Sequence, residues 1–342
     1  MAWIDYQKAY DSVPHSWISK LLTMYKVDAA TTRFITSTMK TWRLKMSLPS
    51  TKGTIELDNV NIKRGIFQGD SLSPLLFCLA LAPLSRILQR AKIGFKACNR
   101  TISHLTYIDD IKSYAKSEAE LKRSIELVKN FSKDINMNFG LEKCAQIHIE
   151  KGKLKNMTNT SEIHTLTVEE SYKYLGICEG SNILHKQMKE KTQKEFIRRI
   201  RALTKSDLTA NNLTTAIKTF AMPIMRYGFG ILKWTKTELV SIDRKVRKIL
   251  TKTGFHHPKS NTHRLYAERG DGGRGIKSVL DCRNEECSSI ASYLAAATED
   301  PLTQLINDME RKRPPTVQSR STRHQRPTTL IQPGHQSPIS RK

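Results

Sequence analysis

The chain has 342 residues, 38% apolar and 26% charged, enough for two packed subdomains and ordinary for a globular protein. Its 57 Lys and Arg against 32 Asp and Glu give a net charge of +25, which implies a polyanionic partner, nucleic acid being the commonest. The longest apolar run, 72–84, is too short to span a bilayer and contains Pro74 and Pro83, and no signal peptide opens the chain, so a membrane protein is not expected.

Trp3-Ile4-Asp5 reads as the end of a buried strand. A helix follows, with Ser12 as its candidate cap and Pro14 in its first turn. Residues 40–66 alternate like strands, with Ile55/Leu57 and Val60/Ile62 flanking a turn at Asp58-Asn59. Asp70-Ser71 then caps an apolar helix over about 72–91. The stretch 106–114 reads as a tight hairpin with two acids at its tip, and Ser117 with Glu120 forms a capping box for the next helix. Strands are expected at 145–149, 163–168 and 172–177.

From about 183 the pattern turns helical and basic. Thr235-x-x-Glu238 opens a helix with Leu239, Ile242, Val246 and Ile249 on one face and Arg244, Lys245, Arg247 and Lys248 on the other. Residues 311–342 are rich in Pro, Ser, Thr, Gln and Arg and too poor in apolar side chains to fold alone. They hold eight Lys/Arg and no Asp/Glu, leaving +17 on the body. The six cysteines are scattered without a C-x-x-C pair, which fits a reducing, intracellular setting in cytoplasm or nucleus. Cys282 and Cys287 follow His256, His257 and His263, but their spacing is a poor match to a zinc set. Strands mixed with helices, followed by helices alone, predict an α+β domain and then an all-α one. Nothing in the sequence sets the oligomeric state.

Tyr107-Ile108-Asp109-Asp110 is the sharpest local feature. Two adjacent carboxylates on an otherwise apolar hairpin repel one another and lose hydration unless a cation sits between them. Read alone, the pair also fits a solvated turn. Asp5 adds an acid to the end of a buried strand, where it is unwelcome unless it faces a cleft. Phosphoryl transfer by two Mg²⁺ ions about 4 Å apart asks for carboxylates that bridge them. Between these acids lies Gly65-Ile66-Phe67-Gln68-Gly69-Asp70-Ser71-Leu72-Ser73-Pro74, which opens into a helix. Its glycines allow close backbone approach to a ligand, and the helix start offers free N–H donors; alone, it is merely a loop-to-helix turn, and its order among the acids makes it informative.

Together, Asp5…Ala9-Tyr10-Asp11, the Gly65-to-Pro74 segment with Leu76-Phe77, and Tyr107-Ile108-Asp109-Asp110 resemble successive palm motifs of reverse transcriptases, most nearly those of non-LTR retrotransposons. Gly140-Leu141-Glu142-Lys143-Cys144 is similar to the next palm motif, and Tyr174-Leu175-Gly176 to the primer-grip hairpin. The five agree in order and spacing over 1–177.

The resemblance implies an RNA-directed DNA polymerase working on an RNA template, a DNA primer and deoxynucleoside triphosphates, with two Mg²⁺ ions or Mn²⁺ in their place. Its fold would be a palm of antiparallel sheet backed by helices over 1–180, a helical thumb over 181–255, a helical connection over 256–310 and a disordered basic tail over 311–342. Asp5, Asp109 and Asp110 would hold the metals. Tyr10 would exclude a ribose 2′-hydroxyl, and read alone also fits a core aromatic. Gln68 and Gly69 would line the nascent base pair. Lys143 would give a proton to pyrophosphate, although a solvated lysine reads the same. Tyr174, Leu175 and Gly176 would set the primer end, although a strand edge reads identically. Lys186, Lys189, Lys191, Arg198, Arg199 and Arg201 would contact phosphates, unless they form a solvated helix face. Arg264-Leu265-Tyr266 and Gly272-Gly273-Arg274-Gly275 are similar to a segment that follows the thumb in some of these elements.

The family's fingers precede its first palm motif, and four residues precede Asp5, so the chain reads as a fragment of a longer polyprotein. Two other readings stand beside the polymerase. One is a non-catalytic nucleic-acid-binding remnant of a retroelement. The other is a viral-type RNA-dependent RNA polymerase, against which stand Ile108 before the paired acids, where those enzymes usually place Gly, and Tyr10 at the gate.

Overall fold

The computed structural model describes residues 1–51, 53–155 and 162–312 and resolves the chain into two compact units, the first Met1–Leu184 and the second beginning at His185. Apart from Arg311 and Lys312, the tail expected at 311–342 lies outside the described residues.

The first unit is built on a five-stranded sheet in the order His164–Thr165, Ala145–Gln146, Ala2–Ile4, Asp110–Ser113, His104–Tyr107. Its pairs are antiparallel except the outermost, between His164–Thr165 and Ala145–Gln146. Ala2–Ile4 is the middle strand, and all three residues are at most 1% exposed. A strand covered on both faces reads as an unbroken apolar run, which is why Ala-Trp-Ile carries no alternation.

One face of the sheet, carrying Ile4 and Ile111, packs on the helices Ser73–Arg90 and Glu118–Asp134 through Leu76, Phe77, Ala80, Leu84, Val128 and Phe131. Each fully buried Leu or Phe contributes about 1.5–3 kcal/mol, enough to hold Ser73–Arg90 together across the ladder bond that Pro83 removes from its interior. The opposite face carries Trp3, Ala145 and Ile147. A hairpin of Tyr172–Tyr174 and Ile177–Glu179 covers it, with Tyr172 stacked on Trp3 at 4.9 Å between centroids.

Several local expectations are corrected. Ser12 ends the short helix Ala9–Ser12, where its hydroxyl donates to the Gln7 and Lys8 carbonyls, and so lies two residues short of the cap position of the next helix; His15–Met24 starts at Pro14 without a side-chain cap. The alternating stretch forms the hairpin Arg43–Ser50/Gly53–Asn61, which turns between Ser50 and Gly53 and not at Asp58-Asn59. Asn59, at φ +61°, sits in the second strand near an irregularity in the pairing at Leu44 and Met46, since Asn tolerates the left-handed region in bulges as well as turns. Every residue of the strand Arg43–Ser50 is exposed, so alternation there does not mark burial. Ser117 accepts from the Glu120 N–H as expected, but the Glu120 carboxylate reaches the Lys116 N–H, one residue before the cap.

The second unit is helical among its described residues: His185–Leu203, Ala210–Ala216 running through a π turn (Ile217–Ala221) into Met222–Tyr227, then Lys236–Lys252, His263–Tyr266, Val279–Ala296 and Pro301–Lys312. The Thr235/Glu238 capping box is complete. The buried stripe of that helix is Leu239, Ile242, Asp243, Val246 and Leu250, with Leu250 taking the place expected for Ile249. The glycine-rich segment folds back so that the Arg274 N–H donates to the Arg264 carbonyl (2.8 Å) and the Ile276 N–H to that of Leu265 (3.1 Å). No described helix is long and apolar enough to cross a membrane.

Candidate active site

The two acid-bearing elements are neighbouring strands. Ala2, Trp3 and Ile4 pair with Ser113, Lys112 and Ile111, so one further step of the register sets Asp5 opposite Asp110. Tyr107 pairs with Asp110 across the hairpin, leaving Ile108 and Asp109 as its two-residue tip. Ile108 takes φ +55°. A β-branched residue there is strained by about 1–3 kcal/mol, a cost that persists only where the surroundings over-determine the turn.

The acids act on one another electrically. Burial pushes the Asp110 carboxyl above its ordinary value, and the charges of Asp109 and Asp5 push it further. Burial likewise raises Asp5; the Lys143 ammonium pulls it back, while Asp109 and Glu142 add to the rise. Asp5 and Asp110, both held above their ordinary values, are hard oxygen donors short of positive charge, the complement that suits Mg²⁺. Among the described residues no group of three or more His, Cys, Asp or Glu side chains stands placed to hold a metal ion on its own. Mg²⁺ does not require one, since it usually takes one or two protein carboxylates and completes its shell with water and phosphate.

The backbone of Asp5 is gripped by the segment that carries Lys143. The Gly140 N–H donates to the Asp5 carbonyl at 2.9 Å, and the Asp5 N–H approaches Cys144 Sγ at 3.5 Å. Lys143 ends a 3₁₀ turn, Leu141–Lys143, immediately before that thiol. Tyr10 is half-buried, its ring stacked on Phe77 at 5.1 Å and 14°, and burial followed by the Asp109 charge raises its hydroxyl. The glycine loop docks beside it: Gly65 donates to the Val13 carbonyl (2.8 Å) and Ile66 to that of Tyr10 (2.9 Å). Gly65 has φ +91°, and an added Cβ would press on the Asp11 backbone at 3.0 Å, so glycine is required there. Gln68 and Gly69 are exposed on the loop, and the Asp70 carboxylate accepts from the Leu72 N–H (3.1 Å) just ahead of the helix.

Tyr174, Leu175 and Gly176 form the turn of the covering hairpin, with Leu175 at φ +45° and Gly176 at φ +78°. The Tyr174 hydroxyl is pushed up to about 12, chiefly by burial and then by Asp110 and Glu179. Tyr172 is raised by burial and then by Asp5 and Asp110. The structure therefore brings Asp5, Asp109, Asp110, Lys143, Tyr10 and the Tyr174 turn into one electrostatic neighbourhood. Sequence reasoning passed over Tyr172 and Cys144 as individual contributors, and over Lys112, whose only signal is a cation in the middle of a strand.

The basic helix belongs to the second unit, and its residues differ in availability. Lys189 is engaged, its ammonium on Glu238 at 2.8 and 3.0 Å and 5.4 Å from the Trp234 ring centroid. Arg198 and Arg199 share Glu195, and Arg199 also donates to the Phe220 carbonyl. Lys186, Lys191 and Arg201 are exposed with no carboxylate partner among the described residues.

Comparison with known proteins adds a separate finding. The model of the reverse transcriptase (RNA-dependent DNA polymerase) family matches residues 1–178. The chain is similar to a retrovirus-related Pol polyprotein from the type-1 retrotransposable element R2 of Popillia japonica, 26% identical over 284 residues, covering 80% of this chain and 45% of that protein. It is also 26% identical over 193 residues to the Pol polyprotein from the type-2 element R2DM of Drosophila melanogaster, covering 51% of this chain and 17% of that one. The chain thus spans less than half the length of these curated relatives. Among solved structures it is similar to apo telomerase from Candida tropicalis, at 12% identity over 90% of this chain and 52% of that one, with a TM-score of 0.36.

Proposed function

We propose, from the premise that this chain belongs to the reverse transcriptase family, that it carries the nucleotidyl-transfer centre of an RNA-directed DNA polymerase of a non-LTR retrotransposon. One observation carries this reading: the register that sets Asp5 opposite Asp110, with Asp109 at the adjoining tip. Asp5, Asp109 and Asp110 would hold two Mg²⁺ ions, for which Mn²⁺ is a substitute. When bound, such ions polarise a primer 3′-hydroxyl and stabilise the charge leaving on pyrophosphate.

The chain's own groups supply the rest. The raised Asp5 and Asp110 carboxyls favour any cation that relieves their repulsion, so binding and ionisation reinforce each other. Tyr10, braced flat on Phe77, presents a rigid edge where a deoxyribose passes and a ribose 2′-hydroxyl collides. Gln68 and Gly69, on an open loop beside Tyr10, lie along the incoming base pair. Lys143, close enough to lower Asp5, is the proton source for the departing pyrophosphate. Tyr174, Leu175 and Gly176 hold the primer end against the acids. Lys186, Lys191 and Arg201 are the free cations of the basic helix for template–primer phosphates, while Lys189, Arg198 and Arg199 first have to leave their carboxylate partners.

Primer extension on an RNA template tests this. The expected result is Mg²⁺-dependent DNA synthesis that Asp109→Asn abolishes and that Tyr10→Ala opens to ribonucleotides. Template binding with no extension under any divalent cation, or synthesis indifferent to Asp109→Asn, sinks it.

A further inference from the structure

Lys112 lies two residues beyond Asp110 on the strand Asp110–Ser113 and is only 7% exposed. A lysine that deep is sustained only by a partner. Its ammonium meets Glu179 Oε1 at 2.6 Å, and the same oxygen accepts from the Trp3 indole N–H at 2.9 Å. The rings of Tyr174, Trp3 and Tyr114 surround the ammonium, their centroids 5.1, 5.3 and 5.8 Å away, so the charge is also met by aromatic faces. Lys112 and Trp3 belong to the sheet, whereas Glu179 and Tyr174 belong to the covering hairpin. The pair therefore joins the element bearing Asp110 to the element bearing the Tyr174 turn.

That hairpin needs an anchor. Its strands are three residues each and, among the described residues, pair with one another and otherwise only through a single bridge from Glu179 to Ile183, and an isolated two-stranded ribbon is marginal in water. The Trp3–Tyr172 stack fixes one end of it. The ion pair fixes the ladder position where Tyr172 faces Glu179 and sets the height of Tyr174 above the sheet. A buried pair of this kind gives little net stability against an apolar replacement, but losing one partner strands a charge. Such a bond is well suited to specifying a position and poorly suited to adding stability.

We propose that Lys112 and Glu179 form a latch that seats the Tyr172–Glu179 hairpin on the acid-bearing sheet face and so positions the Tyr174-Leu175-Gly176 turn for the primer end. These are positioning residues, acting through the hairpin. The role assigned to the turn rests on the polymerase reading above; the latch itself does not.

The test compares the full chain with Lys112→Met, Glu179→Gln, the double variant and Lys112→Arg, by two readouts. In hydrogen exchange, either single variant should speed exchange of the hairpin amides by about a hundredfold, because the hairpin opens when one charge is stranded. The double variant should recover part of that protection, and Lys112→Arg most of it. In primer extension, a hairpin seated only part of the time raises the KM for primer–template by the inverse of its seated fraction and leaves saturating kcat nearly intact. A merely structural role would instead lower the active fraction, seen as reduced kcat at unchanged KM. Unchanged exchange in both single variants, or a loss confined to kcat, overturns the latch. If Lys112→Met does not fold, Glu179→Gln, which keeps an acceptor for Trp3, decides alone. If the wild-type chain extends no primer, the polymerase reading fails while hydrogen exchange still judges the latch.

Discussion

Asp110 sits where burial, Asp109 and Asp5 all oppose its ionisation. A carboxyl whose folded value lies above its unfolded one binds its proton more tightly in the folded chain. Its charge therefore costs no stability below the unfolded value, and the cost grows as pH rises through the folded value and is complete above it. Without divalent metal, the wild-type chain should lose thermal stability across that window. Asp110→Asn should flatten part of the loss and melt no lower than wild type at neutral pH; a clear drop in Tm would contradict the strained-acid picture. These acids were legible in the sequence because carboxylates at strand ends are expensive and so demand a reason. Lys112 was not, since a lone lysine in a strand is indistinguishable from a solvated one until Glu179, 67 residues away, is seen beside it. Lys189 shows the same limit from the other side: it read as a free cation and proves to be paired with Glu238.

Among the elements, amphipathic helices were the most legible, because burial and the 3.6-residue period coincide in Glu118–Asp134 and Lys236–Lys252. Asp243 escaped notice because it sits inside the apolar stripe. It is 6% exposed and accepts from the Val279 and Leu280 N–H groups at the start of the helix Val279–Ala296. Its carboxylate meets free donors of a helix terminus, so Asp243→Ala should destabilise the second unit by about 2 kcal/mol in chemical denaturation; a change within error would show that solvent replaces it. The hairpin Arg43–Ser50/Gly53–Asn61 misled in the opposite direction, with Leu48 and Ile55 cross-paired yet 48% and 57% exposed. Replacing Leu48 with Ser should shift stability by less than about 0.5 kcal/mol, since little area leaves a buried site. A loss of several times that would mean the hairpin is packed in solution.

For the whole molecule, sequence alone anticipated a sheet-and-helix unit followed by a helical one, because strand alternation stops near 183 and helical periodicity takes over; the units divide at Leu184/His185. The order of the strands was not legible. Placing Ala2–Ile4 between Ala145–Gln146 and Asp110–Ser113 depends on contacts more than a hundred residues apart, which no local pattern encodes. The net charge of +25 belongs to this scale too. Binding of an RNA–DNA hybrid should weaken steeply with salt, log K falling linearly with log salt concentration as cations are released from the duplex; a flat dependence would remove phosphate contacts from the mechanism.

The most direct measurement is a Mn²⁺ titration of the full chain followed by electron paramagnetic resonance, comparing wild type with Asp5→Asn and Asp110→Asn. With Asp5 one register step past Ile4 and so level with Asp110, the wild type should hold Mn²⁺, and each substitution alone should weaken that binding by at least roughly tenfold while the fold persists, because removing one ligand of a shared site is felt at once. Equal Mn²⁺ affinity in all three proteins would show that Asp5 and Asp110, though opposite one another, do not share a cation.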